Sequence, residues 1–242
     1  MSLSLNMESQ TPLYQQLMEE IKRKIDVSEF RYGDKIPSEP EFMNKYSISR
    51  ITVRKAVEEL VTEGYLVKKQ GKGTFVNKPK IRRKVENENV MSFDDACRSS
   101  GMTPGHTLLD RKVVSPGVEE KSFFELGNKE MIIFTQRVLT ADGDPIMLEN
   151  NYFPYHECNF LMEEKLDGSL YKLLNSKGIY PEGTKSCTLE LVRATDSTAK
   201  LLQVPLGEPL FYMIAYITDS QGHPVHIGRQ YIVGSRYMFN IP

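Results

Sequence analysis

The chain has little of what covalent cross-links, metal sites and membranes require. Its three cysteines, Cys97, Cys158 and Cys187, are an odd number, widely spaced and without a CxxC pair. They speak against a disulfide framework and read as reduced, buried thiols of a cytoplasmic protein. Histidines number four. The closest two, His223-x-x-His226, straddle a turn and have no cysteine or carboxylate cluster to support them, so neither a metal nor another cofactor is expected. No apolar run approaches the roughly 20 residues that span a bilayer, and no signal-peptide core opens the sequence. A membrane is therefore not an expected partner.

The 242 residues suffice for two domains, and 40% hydrophobic with 26% charged residues is a globular composition. A net charge of -1 conceals a division. Residues 1–80 carry 14 Lys and Arg against 11 Asp and Glu, and Lys45–Lys84 carries 12 basic residues against 3 acidic. Such a run is ordinarily a solvated face. Here it coincides with a motif suited to phosphate, which favours a nucleic-acid footprint.

Leu13, Leu17, Ile21 and Ile25, behind Pro12, predict an amphipathic helix ending near Val27. Ser38 with Glu41 is a capping box for a second helix reaching Tyr46. Ser49 caps a third, with Val53, Ala56, Val57 and Leu60 as its buried stripe and Gly64 as its stop. The short Ser47-Ile48 link is that of a helix-turn-helix. Strands at Leu66–Lys69 and Thr74–Asn77, joined by Gln70-Gly71-Lys72-Gly73, form a hairpin. The charged stretch over residues 78–90 reads as a linker. Beyond it, six longer strand candidates joined partly by tight turns, with helices between pairs, predict a largely antiparallel α+β domain over 91–242.

Arg50 and Arg54, four apart, project from one side of the third helix, while Ser49 and Thr52 bring hydroxyls to its N-terminus. Arginine forks onto guanine in the major groove. Lys68, Lys69 and Lys72 surround the hairpin, whose glycines admit close approach to a DNA backbone. A generic three-helix bundle with an exposed basic helix is the alternative.

The run GDKIPSEPEFMNKYSISRITVRKAVEELVTEGYLVKKQGKGTFV resembles the signature of the gluconate-repressor (GntR) family of winged-helix regulators, over Pro12 to Val76 without a gap. The resemblance implies operator contacts by Lys35, Arg50, Thr52, Arg54 and the wing residues Gln70, Gly71, Lys72 and Gly73, in a DNA-binding domain over 12–77. Pro40 departs from the pattern, standing where relatives often carry an arginine that reads DNA.

The second half resembles the UTRA effector domain of the HutC branch of that family. The landmarks are Ser92-Phe93, Gly101-Met102-Thr103-Pro104, Arg137, Pro145 with Glu149, Ser169-x-Tyr171 and Gly234-x-Arg236-Tyr237-x-Phe239. The implied fold is chorismate-lyase-like, an antiparallel sheet flanked by helices. Its implied ligand site comprises Ser92, Arg137, Glu149, Ser169 and Tyr171, with His226 where relatives have a carboxylate. Leu139 and Ile232 replace an arginine and a tyrosine. Arg137 is expected to take an anionic group, a phosphorylated sugar first, with Glu149 accepting from hydroxyls or an amine; a cross-strand ion pair between the two is the plainer reading.

The expected function is a ligand-responsive, dimeric DNA-binding repressor of a metabolic operon, not an enzyme. Catalysis in a lyase-like second domain is the alternative, without a nucleophile–base pair or paired carboxylates to support it. Non-specific DNA packaging fits poorly with the acidic second half, and some 160 residues are too few for an aminotransferase-like half.

Overall fold

Apolar residues four apart build the first helix. The computed structural model describes residues 5–7, 9–77, 80–84 and 91–240. Leu13–Asp26 forms α1, with Leu17 and Ile21 fully buried. The helix α2, Glu39–Tyr46, opens with a capping box in which the Ser38 N–H donates to Glu41 Oε2 at 2.7 Å. Ser47 then adopts a left-handed conformation (φ 54°), which turns the chain within two residues into α3, Arg50–Thr62. Ser49 Oγ caps α3 by accepting from the Thr52 N–H at 3.2 Å. Strands β1, Leu66–Lys69, and β2, Gly73–Val76, pair antiparallel as a wing, and Lys35 adds a single bridge to Phe75. Phe42, Val53, Leu60, Leu66 and Val76 join Leu17 and Ile21 in one core. Burial of each such side chain contributes roughly 1.5–3 kcal/mol, so the exposed face of α3 rests on a scaffold it does not have to build.

The chain divides into two compact units between Lys80 and Ile81. That border corrects the linker expected over residues 78–90. Ile81–Lys84 is strand β3 of the second unit, paired in parallel with β10, Tyr237–Asn240, and Ile81 is fully buried. A four-residue strand with one core side chain among charges gives periodicity nothing to display. Residues 78, 79 and 85–90 of the expected linker lie outside the described residues.

The second unit is α+β, as expected. Ser92 caps α4, Phe93–Ser99. Then follow β4 (Pro104–Val114), α5 (Val118–Phe124), β5 (Ile132–Ala141), β6 (Asp144–Pro154), α6 (Tyr155–Cys158) running into a 3-10 turn at Asn159–Met162, and α7 (Leu170–Ser176). The chain continues through β7 (Gly183–Arg193), α8 (Asp196–Leu202), β8 (Pro209–Thr218) and β9 (Pro224–Val233). Six strands form one antiparallel sheet in the order β4-β5-β6-β9-β8-β7.

The β5–β6 hairpin turns on Asp142 and Gly143, both at positive φ (49° and 85°), as a type I′ turn requires. Its register sets Arg137 opposite Glu149, and the β6–β9 register continues the row to Gln230. Strand alternation puts Leu139, Met147 and Ile232 on the same face as that row, where Phe93, Ala96 and Cys97 of α4 and Ile81 of β3 pack. The opposite face, with Val138, Leu148 and Val233, is covered by Ala199 and Leu202 of α8. β7 lies at the sheet edge and exposes Leu189 and Leu191, the latter at 72%. Among the described residues no helix is long and apolar enough to cross a membrane.

Candidate nucleic-acid interface and ligand cleft

The N-terminal turns of α3 carry the residues singled out in the first unit. The Arg50 side chain is 75% exposed and donates from Nε to Glu39 Oε2 at 3.1 Å; that of Arg54 is 65% exposed and donates to Glu58 Oε1 at 3.0 Å. Lys68 Nζ lies 3.7 Å from the same Glu58 oxygen, which ties the wing hairpin to this face of α3. Exposed pairs of this kind contribute about 0–1 kcal/mol, so either arginine exchanges its carboxylate for another acceptor at little cost. The Ser49 and Thr52 hydroxyls hydrogen-bond each other at 2.8 Å beside them.

The wing tip, Gln70 to Gly73, bends at Gly71 (φ 70°) and Gly73 (φ 121°). A Cβ at Gly73 would fall 2.5 Å from Lys35 Cε, so Lys35 lies against the base of the wing, while Lys72 is exposed at its tip. One neighbour escaped the sequence reading. Ile51, 81% exposed between Arg50 and Thr52, belongs to the same surface. Its absence from the buried stripe of α3 was the available signal.

In the second unit, five of the six residues expected to bind ligand meet in one place. Ser92, Arg137, Glu149, Ser169 and Tyr171 line a narrow cleft with a cavity volume of about 30 Å³, together with Arg83, Asp94, His106 and Gln230. Ser92, Ser169 and Tyr171 also border an adjoining, wider depression of about 260 Å³ bounded by Lys172, Tyr180 and Glu182.

His226, the sixth, is placed differently: it is buried and absent from the cleft lining. It stacks on Phe153 at 5.3 Å and meets the hydroxyl of the cleft-lining Tyr171 through Nε2 at 3.3 Å. Burial lowers its pKa to about 4, outweighing Glu149, so the ring is neutral at pH 7. On β9 the residue that reaches the cleft is Gln230, four residues further along the same face.

Arg137 is 2% exposed and has three of its five N–H donors engaged. Its Nε and Nη2 donate to Glu149 Oε2 at 3.1 and 2.6 Å, and its Nη1 donates to the Gly168 carbonyl at 3.0 Å. Burial pushes the Glu149 carboxyl up, but the Arg137 guanidinium outweighs it and holds the pKa below its ordinary value. The pair is thus the cross-strand ion pair of the plainer reading, and it lies in the cleft wall.

Two further groups there were missed. His106 Nε2 lies 3.0 Å from Asp94 Oδ1, and burial depresses the pKa of this histidine. The second is Arg83. It shares a strand face with buried Ile81, two residues before it, and that spacing was its only sequence signal.

Comparison with known proteins places these two surfaces in context. Residues 13–76 match the bacterial regulatory proteins of the gntR family, and residues 99–238 match the UTRA domain. The HTH-type transcriptional repressor NagR of Bacillus subtilis (strain 168) is 30% identical over 98% of this chain and 97% of its own. The histidine utilization repressor of Pseudomonas putida is 27% identical over 95% of this chain and 91% of its own. The crystal structure of PhnF from Mycobacterium smegmatis superimposes with a TM-score of 0.76 at 26% identity, covering 93% of this chain and 97% of that one. With an exposed arginine helix in one unit and a polar cleft in the other, this chain belongs to the gntR family of bacterial regulatory proteins, as a DNA-binding transcription regulator with a UTRA effector domain.

Proposed function

We propose that the protein is a cytoplasmic repressor of a metabolic operon, binding a near-palindromic operator as a two-fold dimer and changing its grip when a small anionic metabolite enters the cleft. The observation that carries this reading is the pairing of two surfaces in one chain: loosely held arginines on α3 and a cleft rich in hydroxyls and charge. In this reading Arg50 and Arg54 read base edges in the major groove. Ile51 packs on a thymine methyl, and Ser49 and Thr52 meet adjacent phosphates. Lys35 and the wing, Gln70 to Gly73 with Lys72 at the tip, follow the backbone or the neighbouring minor groove. The functional halves divide at Lys80 and Ile81.

Ser92, Ser169 and Tyr171 supply neutral donors to the ligand, for which a sugar phosphate is the first choice. Glu149 is committed to Arg137, which fits a binding site better than a lyase-like catalytic one. The exposed edge strand β7, with Leu189 and Leu191 outward, supports pairing of two effector domains.

A thermal-shift screen of the full chain tests the ligand reading. A ligand at 100 times its Kd adds about 2.7 kcal/mol, or roughly 5–10 °C for a unit of this size. The same compound must then alter operator binding in a gel-shift titration. A compound that stabilises the protein and leaves DNA binding unchanged contradicts the reading.

A further inference from the structure

The cation at the heart of the expected ligand site is already taken. Arg137 spends three donors on Glu149 and the Gly168 carbonyl, and Glu149 is itself 7% exposed. Withdrawing Arg137 to meet a ligand would strand a buried carboxylate. Leu139, next along the same face, brings no charge. Glu149 balances the charge of Arg137, so an anion entering the cleft gains most from a further, unpaired cation.

We propose that Arg83, carried into the cleft by strand β3, is the residue that binds the anionic group of the effector, in place of the arginine that position 139 lacks. This rests on the reading of the second unit as a site for a small anion, and it names the group that holds the charge. Arg83 lines the same cleft as Ser92, Ser169 and Tyr171. Strand alternation turns it toward the interior while Arg82 is exposed. Its neighbours are Tyr171 and Tyr237, and among the described residues no carboxylate pairs with it. The other charges of the cleft are matched within the fold: Arg137 by Glu149, and Asp94 by Arg98 at 3.4 Å with a hydrogen bond from His106. What is left is one partly buried guanidinium that shares the cleft with the hydroxyls of Ser92, Ser169 and Tyr171.

That arrangement selects a compact anion with several acceptor oxygens. A guanidinium gives a phosphate monoester or a carboxylate two parallel N–H donors, and the hydroxyls of Ser92, Ser169 and Tyr171 serve the remaining oxygens. His106 adds an acceptor. With Nε2 directed at Asp94, its buried Nδ1 has no hydrogen-bond partner, which suits a hydroxyl on the same ligand. The ligand class is thus a hydroxylated organic anion, its charged end on Arg83.

The experiment uses the full chain as wild type, Arg83→Met and Arg83→Lys, titrated by thermal shift and calorimetry. The probes are inorganic phosphate, glucose 6-phosphate, glycerol 3-phosphate and citrate, with glucose and histidine as controls without net negative charge. Arg83→Met should weaken every anion that stabilises wild type by roughly 10- to 100-fold, the loss of a charge-assisted pair. Arg83→Lys, which keeps the charge without the fork, should lose less. Unliganded operator binding and circular dichroism should match wild type in both, and Arg83→Lys alone decides the matter if Arg83→Met does not fold. Equal anion affinity in wild type and both variants overturns the role of Arg83 while leaving an anion site elsewhere in the unit. Stabilisation of wild type by glucose or histidine but by no anion overturns the anion assignment itself. Wild type that responds to none of the probes overturns both the proposal and the anion-site reading beneath it.

Discussion

The two units of this protein hold positive charge in opposite ways. On α3, Arg50 and Arg54 stand well exposed and lean on Glu39 and Glu58 across water-screened contacts. On β5, Arg137 is sealed at 2% exposure against a carboxylate that is itself buried. The first pair of arginines can change partners within a collision, whereas the second arrangement is part of the fold. A recognition surface needs charge that is cheap to release, and a ligand cleft needs walls that do not rearrange when the ligand is absent. Residue type alone does not tell the two apart; burial and committed partners do.

That contrast breaks or survives first on stability. Arg137→Ala should cost about 3–5 kcal/mol, because it leaves Glu149 charged and unpaired, whereas Arg50→Ala should stay within about 0.5 kcal/mol. Urea melts of the two variants measure both. Equal losses would mean that the buried pair is not the structural element described above. The joint replacement of Arg137 by Met and Glu149 by Leu should recover most of the loss, since no buried charge remains.

The second effect is on acid stability. His226 has a folded pKa of about 4 against an ordinary value near 6.5, so on acidification the unfolded chain takes up this proton first. Stability is therefore undiminished by this group above about pH 6.5, falls as pH drops from there to about 4, and levels off below. The span is at most about 3 kcal/mol. His226→Asn should flatten that part of the curve in denaturant titrations between pH 7 and 4. An unchanged slope would show that the ring is wetter than its burial implies.

Next in size is DNA readout. Arg54→Ala should weaken the operator by about 1–3 kcal/mol and random DNA much less, if its fork meets a base. Lys72→Ala should weaken both DNAs alike and lower the salt slope by about one, as a phosphate contact does. Fluorescence anisotropy at several salt concentrations separates the two, and identical behaviour would show that the roles are wrongly divided. The smallest change belongs to Ile51. Its replacement by Ala should cost the operator roughly 1 kcal/mol or less, confined to sites with thymine at one position, and should leave folding untouched.

What the sequence made legible follows the range of the interactions. The capping box of Ser38 and Glu41, the Ser49 cap and the Asp142-Gly143 hairpin are set by residues three or four apart, and each lies where local rules put it. The cleft residues on β5 and β6 were legible because one hairpin register brings them together. β3 and β10 were not, since their pairing joins distant segments and only Ile81 and Tyr237 mark it with full burial. His226 stands one neighbour away from the cleft, beside Tyr171, for a related reason. Alternation along β9 gives a face, and only the register with β6 shows that Gln230, not His226, is level with Glu149.

The parallel ribbon of β3 and β10 also imposes an order on synthesis. Every residue of the winged-helix unit lies before Ile81, so that unit can assemble as soon as it clears the ribosome. Strand β3 has no partner until β10 emerges about 150 residues later, and at roughly 5–20 residues per second that wait lasts about 10 to 30 seconds. During that interval the nascent chain carries a finished DNA-gripping unit and an effector cleft with one side missing. Each new molecule therefore completes its winged-helix unit well before the second unit can close around its cleft.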